Sequence, residues 1–81
     1  MKIFNISNPK ALFERIESCR GNIYAVEDGG KTQDMKALAE YLKRTDMLRF
    51  MGAIDQMEIV AERPEDTVVL MRFVSEMPVG A

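Results

Sequence analysis

Histidine is missing from all 81 residues, tryptophan is missing too, and cysteine occurs once, as Cys19. Without histidine the chain lacks the usual general base at neutral pH, the commonest metal ligand and the side chain that carries phosphohistidine. A single cysteine forms no internal disulfide, so the fold demands no oxidising compartment. Basic residues are not in excess: 11 Lys and Arg face 13 Asp and Glu, and the net charge is −2. Arg15, Arg20, Lys43, Arg44 and Arg49 are scattered among acids, whereas counterion release from nucleic acid needs clustered cations. No nucleic-acid partner is therefore expected. No apolar run approaches the roughly 18 residues of a membrane span, and Met1–Pro9 has no long apolar h-region. The expected setting is cytoplasmic, with no membrane partner.

What is present suits one small domain over residues 1–81, with 47% apolar and 30% charged residues. Lys2–Ile6 is rich in β-formers and reads as a first strand. Ser7-Asn8-Pro9 reads as a helix start, a polar cap followed by a proline whose missing N–H costs nothing there. Leu12, Phe13, Ile16 and Cys19 recur at helical spacing, which predicts an amphipathic helix over about residues 8–20, ended by Gly21. Asn22–Glu27 reads as a second strand. Asp28-Gly29-Gly30 is a turn signal, and Lys31–Met35 a short return strand. Asp34 then caps a helix whose face holds Leu38, Tyr41 and Leu42, running to about Arg44 with room for a further turn through Thr45–Met51.

Met57–Glu62 is the next strand. Arg63-Pro64-Glu65-Asp66 supports two readings. As a helix start it places a proline and two dipole-complementing acids in the first turn. Val69, Leu70, Phe73, Val74 and Met77 then share one face, with Pro78 and Gly80 beyond. As a hairpin it would make Thr67–Phe73 a β-branched strand. The three-turn apolar face favours the helix.

The order strand, helix, strand, strand, helix, strand, helix now meets a sequence likeness. Gly30-Lys31-Thr32-Gln33-Asp34-Met35-Lys36-Ala37 resembles the Gly-Lys-x-Val-Asn-Leu-Lys-Ser segment of the histidine-containing phosphocarrier (HPr) family of the sugar phosphotransferase system. Ile59-Val60-Ala61-Glu62, followed by acids opening a helix, resembles that family's last strand and last helix. The resemblance implies an α+β fold, an open-faced sandwich with four antiparallel strands and helices on one face. With Pro9 aligned to the family's first-turn proline, the phosphoryl-accepting histidine falls at Ile6. The phosphate-steadying arginine falls at Asn8, and the regulatory serine at Ala37. Ile6 and Ala37 are thus vacant phosphorylation positions. The resemblance also implies an apolar partner-docking patch after the second helix, here Met47-Leu48-Arg49-Phe50-Met51.

Methionine repacks easily and arginine anchors interfaces, so that segment suits docking. The same Leu48, Met51 and Met47 equally suit closure of the core. Asn8 and Lys10, at the start of the first helix, complete the candidate partner-binding set; the free N–H groups there serve an anion or simply a cap. Glu27, Asp28 and Asp34 lack the periodic acids of a calcium loop, so no metal and no cofactor is expected. Cys19 lies on an apolar face with nothing to activate it. Glu14, Glu17, Glu40 and Arg44 read as solvated helix faces, and Met35, Met57 and Met71 as core filling. The expectation is no enzyme but a protein-binding or regulatory module that resembles the phosphocarrier without carrying phosphohistidine. Its protein partner is unidentified, and self-association to a homo-oligomer stays open for so small a core. A ferredoxin-like or ACT-type ligand-binding domain is the alternative, and it requires Thr67–Phe73 to be a strand.

Overall fold

The computed structural model describes residues 1–76, so the expectation for Met77 lies outside the described residues. Among them four strands form one antiparallel sheet: β1 (Lys2–Ile6), β2 (Ile23–Val26), β3 (Thr32–Asp34) and β4 (Ile54–Ala61), in the order β1-β4-β2-β3. Three helices interleave with them: α1 (Pro9–Ser18), α2 (Met35–Arg44) and α3 (Pro64–Glu76). A 3₁₀ turn (Leu48–Phe50) precedes β4.

The register fixes which residues share a face. Ile3 pairs with Met57, Ala25 with Ile59, and Ile23 with Ala61. Alternation along each strand puts these on the side covered by helices. Leu12, Phe13 and Ile16 of α1, Met35 and Ala39 of α2, and Leu70 and Phe73 of α3 close over them. Each large side chain so buried stabilises the fold by about 1.5–3 kcal/mol. The opposite face carries Lys2, Phe4, Gln56 and Val60, which are exposed.

Alternation breaks once. Asn5 takes a left-handed φ of 54°, a conformation that asparagine tolerates better than most residues. Phe4 and Ile6 would otherwise share a face. Instead Phe4 lies toward solvent while Ile6 is wholly buried, opposite Ile54.

The helix boundaries have local causes. The Asn8 side chain accepts the Ala11 N–H at 3.2 Å, which makes Asn8 rather than Ser7 the cap of α1. Asp34 closes β3 and caps α2, accepting from Lys36 at 3.0 Å and Ala37 at 3.2 Å. Gly29 and Gly30 hold φ of 89° and 85° in the hairpin turn, where a side chain would strain the backbone. Gly21 does not end α1, which stops at Ser18; it is needed for close approach. A Cβ there would lie 2.8 Å from Arg63 Cγ and 3.2 Å from Asp66 Oδ2.

Arg63–Asp66 opens a helix, not a hairpin, so Thr67–Phe73 is not the strand that a ferredoxin-like or ACT-type topology requires. Its apolar residues nevertheless occupy two stripes. Leu70 and Phe73 point into the core, while Val68 and Met71 face outward. Met71, expected as core filling, is 57% exposed, because Leu70 takes the inward position and the next residue is turned about 100° around the helix. Met35 is buried, and Met57 is half-buried against the core.

Candidate functional site

The first helix starts where the resemblance locates the phosphorylation centre, and its surroundings are apolar rather than open. Ile6 has no exposed surface, so its position is filled by core and not a vacant niche. Two residues on, Asn8 spends its side-chain oxygen on the α1 cap. Pro9 is buried in the first turn, and Lys10 is exposed. Ala37 is exposed in the first turn of α2, with its N–H held by Asp34. It follows β3, the edge strand farthest from β1 in the sheet order. Ile6 and Ala37 therefore start from opposite edges and form no common site.

The segment after α2 is shaped by a tight reversal. Thr45 and Met47 donate their N–H groups to the carbonyls of Tyr41 and Leu42 at 3.0 and 2.9 Å, and Asp46 takes a φ of 58°. This turns the chain into the 3₁₀ turn, which packs against both α1 and α2. Its five candidate residues divide. Leu48 and Met51 are half-buried against the core, the core-closing role allowed by their sequence. Met47 and Phe50 are exposed, Phe50 to 68%. The Arg49 guanidinium lies 4.8 Å from the Phe50 ring centroid, and its Nε is 3.1 Å from Asp46 Oδ2. Nearby on α2, Arg44 lies 6.0 Å from the ring of exposed Tyr41. Arginine stacked on an exposed aromatic ring and paired with an acid makes an amphipathic surface, apolar body and polar tip together.

Topology brings this surface toward the start of α1. Three residues after Met51 the chain enters β4 at Ile54, which pairs with Ile6. Ile6 in turn lies two residues before Asn8. The α1 start and the end of the 3₁₀ segment thus meet at one end of the sheet.

A second cluster is built on a buried carboxylate, and sequence reasoning missed it. Asp66, in the first turn of α3, is only 2% exposed. Its Oδ1 accepts the Arg20 N–H at 2.9 Å and its Oδ2 the Gly21 N–H at 2.7 Å. These two bonds hold its carboxyl below the usual carboxylate range, Arg20 contributing most, with Lys36 and Arg63 adding weaker attraction. Lys36 Nζ donates to the Cys19 carbonyl in the same junction. Burial, reinforced by the Asp66 charge, pushes the Cys19 thiol up. That disfavours the thiolate that nucleophilic chemistry needs. With both carboxylate oxygens engaged, Asp66 joins the end of α1 to the start of α3 and is not poised for proton transfer. The only sequence signals were an acid in a helix first turn and a distant glycine. Neither reveals the other, because they are 45 residues apart.

Elsewhere, Lys2, Glu27, Asp28, Gln33, Gln56 and Glu58 rim a shallow depression of about 440 Å³ on the exposed sheet face. Among the described residues no three His, Cys, Asp or Glu side chains converge to hold a metal ion. None of the described helices is long and apolar enough to cross a membrane. Compared with protein-family models, curated proteins and solved structures, the chain matches none of them.

Proposed function

We propose that this domain is a non-catalytic binding module of the HPr-like type, and that it docks a protein partner through the exposed part of the segment after α2. The observation that carries this reading is the Met47–Arg49–Phe50 surface. Two large apolar side chains stand in solvent beside an arginine already stacked and paired, while Leu48 and Met51 anchor the same turn to the core. Such a combination suits a contact patch with a rigid support. The element order and the antiparallel β1-β4-β2-β3 sheet support the likeness to the phosphocarrier. A buried Ile6 supports the loss of its chemistry, since isoleucine has no nitrogen to form a phosphoramidate and no route to a donor enzyme. Asn8 and Lys10 lie at the same end and extend the surface.

Two measurements test the reading. Incubation with radiolabelled phosphoenolpyruvate and the general phosphotransferase enzyme is expected to leave the protein unlabelled, and a labelled protein refutes it. Partner capture with the wild-type chain and with Phe50→Ala and Arg49→Glu variants, all checked for folding, is expected to lose the same protein in both variants. Retention of every captured protein by both refutes the assigned surface.

A further inference from the structure

Edge strand β1 has an exposed row of main-chain groups whose identity follows from its pairing with β4. Met1 and Ile59 exchange both hydrogen bonds, at 2.9 and 2.8 Å. In an antiparallel ladder, alternate residues point their N–H and C=O to opposite sides. Met1 and Ile3 therefore face β4, and the N–H and C=O of Lys2 and Phe4 face outward, where the sheet has no further strand among the described residues. Two outward residues at i and i+2 are what a short antiparallel pairing needs.

We propose that this edge pairs with the β1 edge of a second copy of the same chain, in the register that sets Lys2 opposite Phe4 of the other copy. A two-fold axis through Ile3 makes the contact self-complementary. Each Lys2–Phe4 pair exchanges both backbone hydrogen bonds, and the joined sheet runs from eight strands without a gap. The side chains select this register and occupant. Lys2 and Phe4 both project to the exposed sheet face, where Phe4 is 53% exposed. In the dimer the Lys2 ammonium of one copy lies against the Phe4 ring of the other, twice, with Glu58 flanking Lys2 from β4. Shifting the register by two residues would instead put lysine opposite lysine or phenylalanine opposite phenylalanine.

The helix side fits the same partner. An apolar groove of about 380 Å³ runs between Met1, Lys2 and Ile3 on β1 and Met71, Val74 and Ser75 on α3. The two-fold axis sets two such grooves side by side, so that the exposed Met71 side chains cover each other's grooves. Asn5, at its left-handed φ, ends the regular edge after Phe4. The two-fold contact uses the β1 edge of both copies and so closes on itself at two chains. This contact uses none of the residues of the Met47–Phe50 surface, so each proposal stands or falls without the other.

The test is sedimentation velocity from 10 µM to 1 mM, in parallel with amide exchange by NMR, on a chain without an N-terminal tag. The mass is expected to rise with concentration toward twice 9.2 kDa, with the Lys2 and Phe4 amides gaining protection in step. Phe4→Lys sets like charges opposite each other at an exposed position and is expected to weaken association at least tenfold. Lys2→Pro removes an outward N–H while sparing the β1–β4 ladder, and is expected to do the same. Phe50→Ala is expected to leave the dimer intact. A monomer at 1 mM, or a dimer whose affinity both β1 variants leave unchanged, overturns the proposal.

Discussion

Placing histidine at position 6 should damage this protein rather than create a site. Ile6 is the last residue of β1, wholly buried and paired across the sheet with Ile54. Replacing its side chain by imidazole forfeits about 2–3 kcal/mol of apolar burial. Desolvating the ring nitrogens without partners costs a further 1–3 kcal/mol or so. Ile6→His is therefore expected to lose about 3–6 kcal/mol at pH 7. An 81-residue domain has roughly 4–12 kcal/mol in all, so the variant should be marginal. Acid should worsen it. Burial disfavours the imidazolium, holding the folded-state pKa below the ordinary value of about 6.5. The unfolded chain then binds more protons, and stability falls as pH drops through the unfolded value. That amounts to at most about 1.3 kcal/mol more between pH 7 and 5.5. The natural chain has no histidine and so no imidazole titration over this interval, and serves as the baseline. Urea unfolding followed by far-UV circular dichroism at both pH values measures the loss, and NMR follows the ring titration. A loss below about 1 kcal/mol, with the imidazole titrating near its ordinary pKa, would refute the buried placement of this position.

Three further expectations rest on separate features. Asp66→Asn replaces an acceptor with an amide that presents a donor to one of the Arg20 and Gly21 N–H groups, so it should lower the urea midpoint at pH 7. Because the Asp66 carboxyl is held down in the folded state, its contribution is complete above the unfolded value near 3.9 and fades as pH falls through the lower folded value. The gap between wild type and variant should therefore narrow as pH falls below the unfolded value; a gap independent of pH contradicts the assignment. Leu70→Ala, at a 1% exposed core position, should cost about 2–5 kcal/mol, whereas exposed Phe50→Ala should stay within about 0.5 kcal/mol. Equal losses in the two unfolding curves would mean that the 3₁₀ turn is core and not surface. Finally, the Cys19 thiol, buried and pushed up, should react with iodoacetamide at pH 8 at least tenfold more slowly than free cysteine, and speed up in urea. A rate near that of free cysteine would show the C-terminal end of α1 to be open.

Much of the local architecture was legible in the chain because its causes are local. Asn8-Pro9, Asp34 and Gly29-Gly30 each act within a few residues, by capping a helix or permitting a positive φ, and so the helix starts and the hairpin could be read directly. The Leu70–Phe73 face was strong enough to decide helix over strand for the last element. The methionines were less readable. Met35 is core and Met71 is surface, although both are apolar residues in helices, because exposure depends on which stripe the neighbouring elements cover.

By itself, then, the sequence determined the order of elements, the absence of imidazole and disulfide chemistry, and the segments from which a binding surface could come. Tertiary structure decided the rest. It buried Ile6 through a left-handed Asn5 and divided the Met47–Met51 segment into anchors and exposed groups. It also joined Asp66 to a glycine 45 residues away and left Lys2 and Phe4 at a sheet edge. The physical reason is common to all four. Which side of an element faces water, and which distant backbone N–H meets a carboxylate, are set by packing between elements and not by the residues within one.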